Sequence, residues 1–352
     1  MIVATKINTS EEMIVKRIVV AAAAAAFAFG VAGSASAEPT NIRIGWNQAP
    51  GHMASMTWHD KSLGYLVNSD KTYIAEPIRF QGSGHQVTAL AAGQVDIAAM
   101  SPLAFVSTIR KAGLNTRVIG DVLHTPCDGK SFAQPYYATK ASGIKTFADL
   151  KGKKIAINSR GSARDMTVAA ALAKGGLGPR DATRVEMKFA AMVPFLQEGK
   201  VDVGGYLPQF VPPVENDPNL VKIFDTCTAQ GPVASVMLVA TQEFIDANRD
   251  ALIDLLADQI RAVRWFYDPA NREKMLEVVA DVTKAPASNF SDYVFTDKDY
   301  RRNPDLYIAP QFIQNTIDGA VEFEMLKPEE SLQAVDYVDF SLIEAAKKQV
   351  DG

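Results

Sequence analysis

Between residues 41 and 110, short apolar stretches with strand periodicity alternate with stretches of helical periodicity. Asn41–Gly45 (N-I-R-I-G) alternates polar and apolar and predicts a first strand. Trp46–Gly51 holds Pro50 and Gly51 and predicts a loop, followed by a helix from about Met53 to Leu66. Ala75–Phe80 predicts a second strand that runs into Gln81-Gly82-Ser83-Gly84. A helix carries Val87 to Ala92 and stops at Gly93, a residue suited to the left-handed position after a helix end. Val95–Ala99 predicts a short buried strand, and Ser101-Pro102 opens the next helix with a side-chain cap and a first-turn proline. Strands and helices joined by short loops predict an α/β fold with a mainly parallel sheet.

The same order returns further along. Lys153–Asn158 (K-K-I-A-I-N) predicts a strand, Ser159–Gly161 a turn, and Ser162–Lys174 an Ala-rich helix. Ser162 with Asp165 three residues on has the form of a capping box, and Gly175-Gly176 ends the helix before a strand at Arg184–Phe189. A short internal echo links the two regions. Leu90-Ala-Ala-Gly93-Gln-Val95-Asp96 matches Leu196-Gln-Glu-Gly199-Lys-Val201-Asp202, and Pro102 and Pro208 follow at equal distances. The bland alternative is that helix, Gly, strand, Pro is common α/β punctuation; the match is taken to mean two lobes of similar build. Val233–Ala240 is an apolar strand followed only by helical periods, from Gln242 to Tyr267, Asn271 to Lys284 and Gln311 to Glu324. A chain that adds one strand and then helices is expected to return to its first lobe. The expected layout is lobe 1 from residues 38–134 and 235–352, lobe 2 inserted as 135–234, and two crossings that make a hinge.

Residues 1–37 read differently. Lys16-Arg17, an apolar run from Ile18 to about Val31, and Ala35-Ser36-Ala37 are the three parts of a secretory signal peptide, with cleavage expected after Ala37. The run is too short for a membrane span. The start is left open between Met1 and Met13. Removing Lys6, Lys16, Arg17, Glu11 and Glu12 takes the net charge from −4 to −5. That balance gives no global attraction for nucleic acid or an anionic bilayer. A soluble, exported, monomeric protein is expected. With 22% charged and 47% hydrophobic residues the chain is not disordered, and two cysteines exclude a disulfide-built scaffold.

In parallel α/β sheets ligands bind beyond the carboxyl ends of the strands. Applied here, that rule selects Trp46–Met53, Gly82–His85 and Ser101-Pro102 in lobe 1, and Ser159–Arg164, Ala190–Met192 and Tyr206–Gln209 in lobe 2. Trp46 could stack on or cover a ligand, with Asn47 beside it as a polar contact. Gly82, Ser83 and Gly84 allow close approach of backbone N–H groups, with His85 next to them. Ser101, Ser159 and Ser162 stand at turns and helix starts that favour an anion. Arg160 supplies a guanidinium for a carboxylate, sulfonate or phosphate, against the plain alternative of a surface ion pair. Arg164 ranks below it, because one turn into the helix it is expected to point away. Tyr206 and Gln209 complete the set as hydrogen-bonding groups.

Catalytic signals are thin. His52, His59, His85 and His124 show no H-x3-H or H-E-x-x-H spacing, and neither a nucleophile elbow nor a phosphate loop is present. No catalytic residue, metal or cofactor is expected. Cys127 and Cys227 lie one near each crossing, and a bond between them is one option, two free thiols the other.

Three segments resemble a known family. Ile144–Ile157 (I-K-T-F-A-D-L-K-G-K-K-I-A-I), Ala89–Ala98 (A-L-A-A-G-Q-V-D-I-A) and Gly176-Leu177-Gly178-Pro179 resemble periplasmic substrate-binding proteins. The likeness is to those of ABC importers for nitrate, taurine, alkanesulfonates and the thiamine pyrimidine. It implies a two-lobed type II binding fold, closure of a hinged cleft on a small molecule, and delivery to a permease in the inner membrane; with the arginine and helix starts above, the molecule is expected to be anionic and organic. The loop Trp46–Ala54 departs from the small-residue loops expected of sulfonate binders. Two alternatives remain open at this point: a periplasmic sensor that presents its ligand to a membrane receptor, and a pyrimidine-synthase-like enzyme.

Overall fold

The computed structural model of the chain describes residues 38–352; the signal peptide expected in residues 1–37 lies outside them. Ten strands form among the described residues: β1 (Thr40–Trp46), β2 (Tyr73–Arg79), β3 (Ile97–Met100), β4 (Thr116–Thr125), β5 (Pro135–Thr139), β6 (Lys154–Ile157), β7 (Thr183–Glu186), β8 (Val203–Gly205), β9 (Leu220–Asp225) and β10 (Val233–Thr241). They make two sheets, in the orders β2-β1-β3-β10-β4 and β7-β6-β8-β5-β9. In each sheet three neighbours are parallel. The first strand after each crossing, β10 or β5, enters the fourth place antiparallel to both its neighbours. The sheets are therefore mixed, with one reversed strand apiece. β3 is wholly buried and β10 nearly so, as their largely apolar runs require of strands covered on both faces.

The sequence echo has one physical meaning at both places. Gly93 and Gly199 take left-handed φ values of 63° and 68°, which let the chain reverse from helix to strand without a Cβ clash. Asp96 then accepts a hydrogen bond from the Arg43 backbone N–H at 2.8 Å, while its own N–H donates to the Arg43 carbonyl at 2.9 Å. Asp202 makes the same reciprocal pair with Lys154, at 2.7 and 2.8 Å. Each aspartate thus sets the register of one parallel pair, β1 with β3 and β6 with β8.

The longer helices are α1 (Ser83–Ala91), α2 (Pro102–Arg110), α3 (Ala163–Lys174), α4 (Phe189–Gln197), α5 (Arg249–Tyr267), α6 (Arg272–Thr283), α7 (Pro310–Glu322) and α8 (Phe340–Asp351). Two helical expectations need correction. The stretch 53–66 forms only the single turns Met53–Ser55 and Lys61–Leu63. Ser55 and Thr57 hydroxyls bond the His52 and Met53 carbonyls, the Asp60 carboxylate takes the Ser62 N–H, and Gly64 turns left-handed at φ 80°. Those local bonds compete with a continuous helix. The helix expected from Gln242 to Tyr267 breaks at Asn248, whose φ is −133° and whose side-chain amide donates to the Phe244 carbonyl. The strand expected at Arg184–Phe189 ends at Glu186, so that Phe189 opens α4 instead.

The chain crosses between the sheets after β4 and again before β10. Cys127 and Cys227 sit in these two crossings with Cα atoms 5.5 Å apart and their sulfurs bonded. The bond joins residues 100 apart in sequence. Closing a loop of that length constrains the unfolded chain by up to ~4.7 kcal/mol in the chain-entropy model. The Cys127→Ser/Cys227→Ser double variant is accordingly expected to unfold at lower denaturant concentration. Alkylation of the denatured, unreduced wild-type protein is expected to label no thiol.

Candidate functional site

The loops that leave the carboxyl ends of the strands meet across the gap between the lobes. Gln81 Nε2 donates to the Asn158 carbonyl at 3.0 Å, and Asn158 Nδ2 donates back to the Gln81 carbonyl at 3.4 Å. Ser101 Oγ, which also accepts the Ala104 N–H as the cap of α2, donates to the Gly161 carbonyl at 2.5 Å. Gln209 Nε2 donates to the Ala49 carbonyl at 3.3 Å. Gly82 lies against Ser159, whose buried Oγ has no partner. Gly84 faces the Arg160 carbonyl, 2.8 Å from where a Cβ would stand.

Behind this seam is a narrow cavity with room for about one water molecule. Gln48, His52, Arg164, Gln209, Tyr293, Asp299 and Tyr300 supply its polar lining, with Pro50, Leu123, Leu207 and Pro208 between them. Arg164 dominates it. Its side chain lies on the first turn of α3, 8% exposed, with Nη2 donating to the Tyr300 hydroxyl at 3.1 Å. The guanidinium stands 5.3 Å from the centre of the Phe189 ring. Nε has no partner, and Arg164 makes no ion pair among the described residues.

The local sequence explains why Arg164 faces the cleft and Arg160 does not. Ser162 caps α3 through the Asp165 N–H. Asp165 turns into lobe 2, where it accepts the Gly161 N–H and pairs with buried Arg184 at 2.8 Å. Consecutive helical residues are about 100° apart, so fixing Asp165 inward swings Arg164 to the open side. Arg160 precedes the helix, is half exposed, and lies 3.8 Å from Asp165 and 4.0 Å from Glu186. The placement differs from the expected ranking: Arg160 lies beside surface carboxylates, and Arg164 lines the cleft.

Elements that follow lobe 2 in the chain complete the cavity. Asp299 and Arg302 form a buried ion pair at 2.8 Å. Burial opposes the charge on Arg302, but Asp299 overrides it and holds the guanidinium above its usual pKa. Arg302 also donates to the Gly51 and Pro50 carbonyls, at 3.3 and 3.5 Å, and so fixes the loop that carries His52. His52 is buried with Nδ1 unpartnered. Burial first, then the positive charges of Arg164 and Arg302, push its pKa down to about 3, so the imidazole is neutral at pH 7.

The other expected residues separate into groups. Asn47 lines a second cavity, of about 280 Å³, at the mouth of the cleft. Trp46 is half buried beneath the Arg79 guanidinium at 5.5 Å, with its buried Nε1 unpartnered. Three of the residues make internal hydrogen bonds. Ser83 Oγ accepts the Ser101 N–H, Ser162 serves as the α3 cap, and the Tyr206 hydroxyl donates to the Met192 carbonyl. His85 is exposed on the first turn of α1 and lines neither cavity. Among the described residues, no three His, Cys, Asp or Glu side chains cluster to hold a metal ion.

The family model described as NMT1/THI5 like matches residues 74–271. The chain belongs to the NMT1/THI5-like family. Solved structures agree on the fold of this NMT1/THI5-like protein. The alkanesulfonate-binding protein SsuA of Xanthomonas axonopodis pv. citri, solved with MOPS, has a TM-score of 0.65 at 19% identity, covering 86% of this chain and 99% of that one. The nitrate-binding protein NrtA of Synechocystis PCC 6803 has a TM-score of 0.68 at 14% identity, covering 89% and 90%. The Candida albicans CA3427 gene product, described as having the generic periplasmic binding protein fold, has a TM-score of 0.63 at 16%, covering 86% and 96%. No curated protein sequence matches significantly. At these identities the likeness establishes the two-lobed α/β fold.

Sequence reasoning missed Gln48, Tyr293, Asp299, Tyr300, Arg79 and Lys188, and did not name His52 as a site residue although its loop was selected. The signal for the tyrosines was available: residues 285–309 form a long stretch with little regular structure, rich in Tyr, Asp and Arg. A loop of that length in a compact domain is commonly functional.

His52 generates a pH prediction. Its folded pKa lies near 3 against 6.5 in the unfolded chain, so between these values the unfolded state binds the extra proton. Stability is therefore expected to fall as pH drops below 6.5 toward 3. In His52→Gln the dependence of unfolding free energy on pH between these limits should flatten by about 1 kcal/mol per pH unit, measured by denaturant titration.

Proposed function

We propose that this protein is the solute-binding component of an ABC import system. It captures a small anionic organic molecule between its lobes and delivers it to a membrane permease. The single observation that carries this reading is Arg164: a guanidinium buried between the lobes with no counter-ion among the described residues. Burying an unpaired charge is costly, and an anion in the cleft removes much of that cost while gaining charge-assisted hydrogen bonds.

Closure moves lobe 2, residues 135–234, against residues 38–134 and 235–352. The relatives of like fold named as binding alkanesulfonate or nitrate support anion capture. Export follows from the three-part leader in residues 1–37, and the Cys127–Cys227 bond suits an oxidising compartment such as the periplasm. The same bond occupies both cysteines of the chain, which favours capture over thiol-based catalysis.

The test uses ligand-stripped protein and a panel of taurine, alkanesulfonates, small carboxylates and pyrimidines. An anion is expected to raise the melting temperature in a concentration-dependent way. Arg164→Gln should weaken that anion by about 2 kcal/mol, roughly 30-fold, in calorimetry. If no anion shifts the midpoint, or if Arg164→Gln binds as tightly as wild type, the reading is wrong.

A further inference from the structure

Three cations with no ion-pair partner among the described residues line one cleft in a chain of net charge −4, and only one of them is Arg164. The other two stand at the mouth. Arg79 ends β2 in the first lobe, and Lys188 immediately precedes α4 in the second. Both are exposed, both line the cavity of about 280 Å³, and neither makes an ion pair among the described residues. No carboxylate lines that cavity. Closing the lobes therefore brings two like charges, one from each lobe, to a shared space. Both are solvent-exposed, so their repulsion is screened, but an anion between them gains a cation from each lobe.

The mouth and the deep cavity are neighbours. Gln48 lines both. Phe189 lines the mouth, and its ring also carries the Arg164 guanidinium at 5.3 Å. A ligand reaching from one cavity to the other passes along this apolar ring. Arg79 is positioned by the Trp46 ring at 5.5 Å rather than by a carboxylate, which leaves its donors free for a ligand.

We propose that the ligand is a small organic dianion. One acidic group meets Arg164 at the deep cavity, which has to widen beyond its one-water volume to admit it, an apolar spacer lies along Phe189, and the second acidic group sits between Arg79 and Lys188. There it is held by one cation from each lobe and adds to the contacts that join the lobes. The proposal rests on the reading of the cleft as an anion-capture site and adds the second charge to it.

The test compares matched pairs by calorimetry on ligand-stripped full-length protein: terephthalate with benzoate, and the diacids from malonate to suberate with the monoacids of equal chain length. At least one diacid is expected to bind ~tenfold or more tighter than its monoacid, the scale of one added charge-assisted contact. The double variant Arg79→Gln/Lys188→Gln should bring the two members of that pair within about threefold of each other. Both positions are exposed, so a melting curve on this variant confirms that the fold is kept. Equal binding within every pair in wild type overturns the dianion. If that equal binding is also lost in Arg164→Gln, the anion-capture reading survives alone. A preference for the diacid that persists in the double variant also overturns the proposal, since the second charge is then read elsewhere. If no diacid and no monoacid binds, the dianion fails together with the capture of carboxylates.

Discussion

With the lobes closed, the backbone at Gly82 approaches lobe 2 so nearly that a Cβ there would overlap the Ser159 side chain and come within 2.7 Å of Asn158 Nδ2. Contact of this kind is available only to glycine. It allows Gln81 and Asn158 to exchange hydrogen bonds across the gap, and it lets the Ser101 hydroxyl reach the Gly161 carbonyl. The features of the deep cavity depend on this approach. Without it Arg164 and His52 would face water, where a guanidinium needs no counter-ion and an imidazole titrates near its ordinary value. Between the lobes they are a desolvated cation and a neutral ring.

Enclosure also explains how a protein of negative net charge can present a positive site. Long-range attraction counts for little here. What matters is that the nearest charges act through a medium of low effective dielectric, where one buried guanidinium outweighs many screened surface carboxylates. Two carboxylates beside the cleft are already committed: Asp165 to Arg184, and Asp299 to Arg302. Each of these pairs keeps an aspartate from neutralising Arg164, and the second also anchors the loop bearing His52. The arrangement leaves Arg164 with a tyrosine hydroxyl and an aromatic face for company.

The two-lobed α/β class was legible because its cues are local. Strand alternation, glycines after helices and Ser-Pro helix starts act over a few residues, and the L-x-x-G-x-V-D echo marks a helix–turn–strand unit built twice. The aspartate of that echo closes the register of a parallel strand pair, a task that any copy of the unit must perform. The corrections arose where local cues compete with distant ones. Helical periodicity between residues 53 and 66 lost to hydroxyl and carboxylate groups that bond the nearby backbone. The candidate serines and Tyr206 had the right chemistry, but inside the fold Ser83, Ser162 and Tyr206 found protein partners.

By itself, then, the sequence determined the class of fold, the loops that converge on a cleft, and the presence of an arginine-bearing turn beside it. Only the tertiary structure decided which arginine enters that cleft. Arg160 and Arg164 are four residues apart and chemically identical. The choice between them rests on Asp165, whose commitment to Arg184 from another strand turns one guanidinium inward and leaves the other on the surface. The same holds for Tyr293, Asp299 and Tyr300, more than 100 residues distant from Arg164 in the chain. Periodicity reports what a residue's neighbours in sequence demand, whereas a site is assembled from groups that meet only after the sheets have formed.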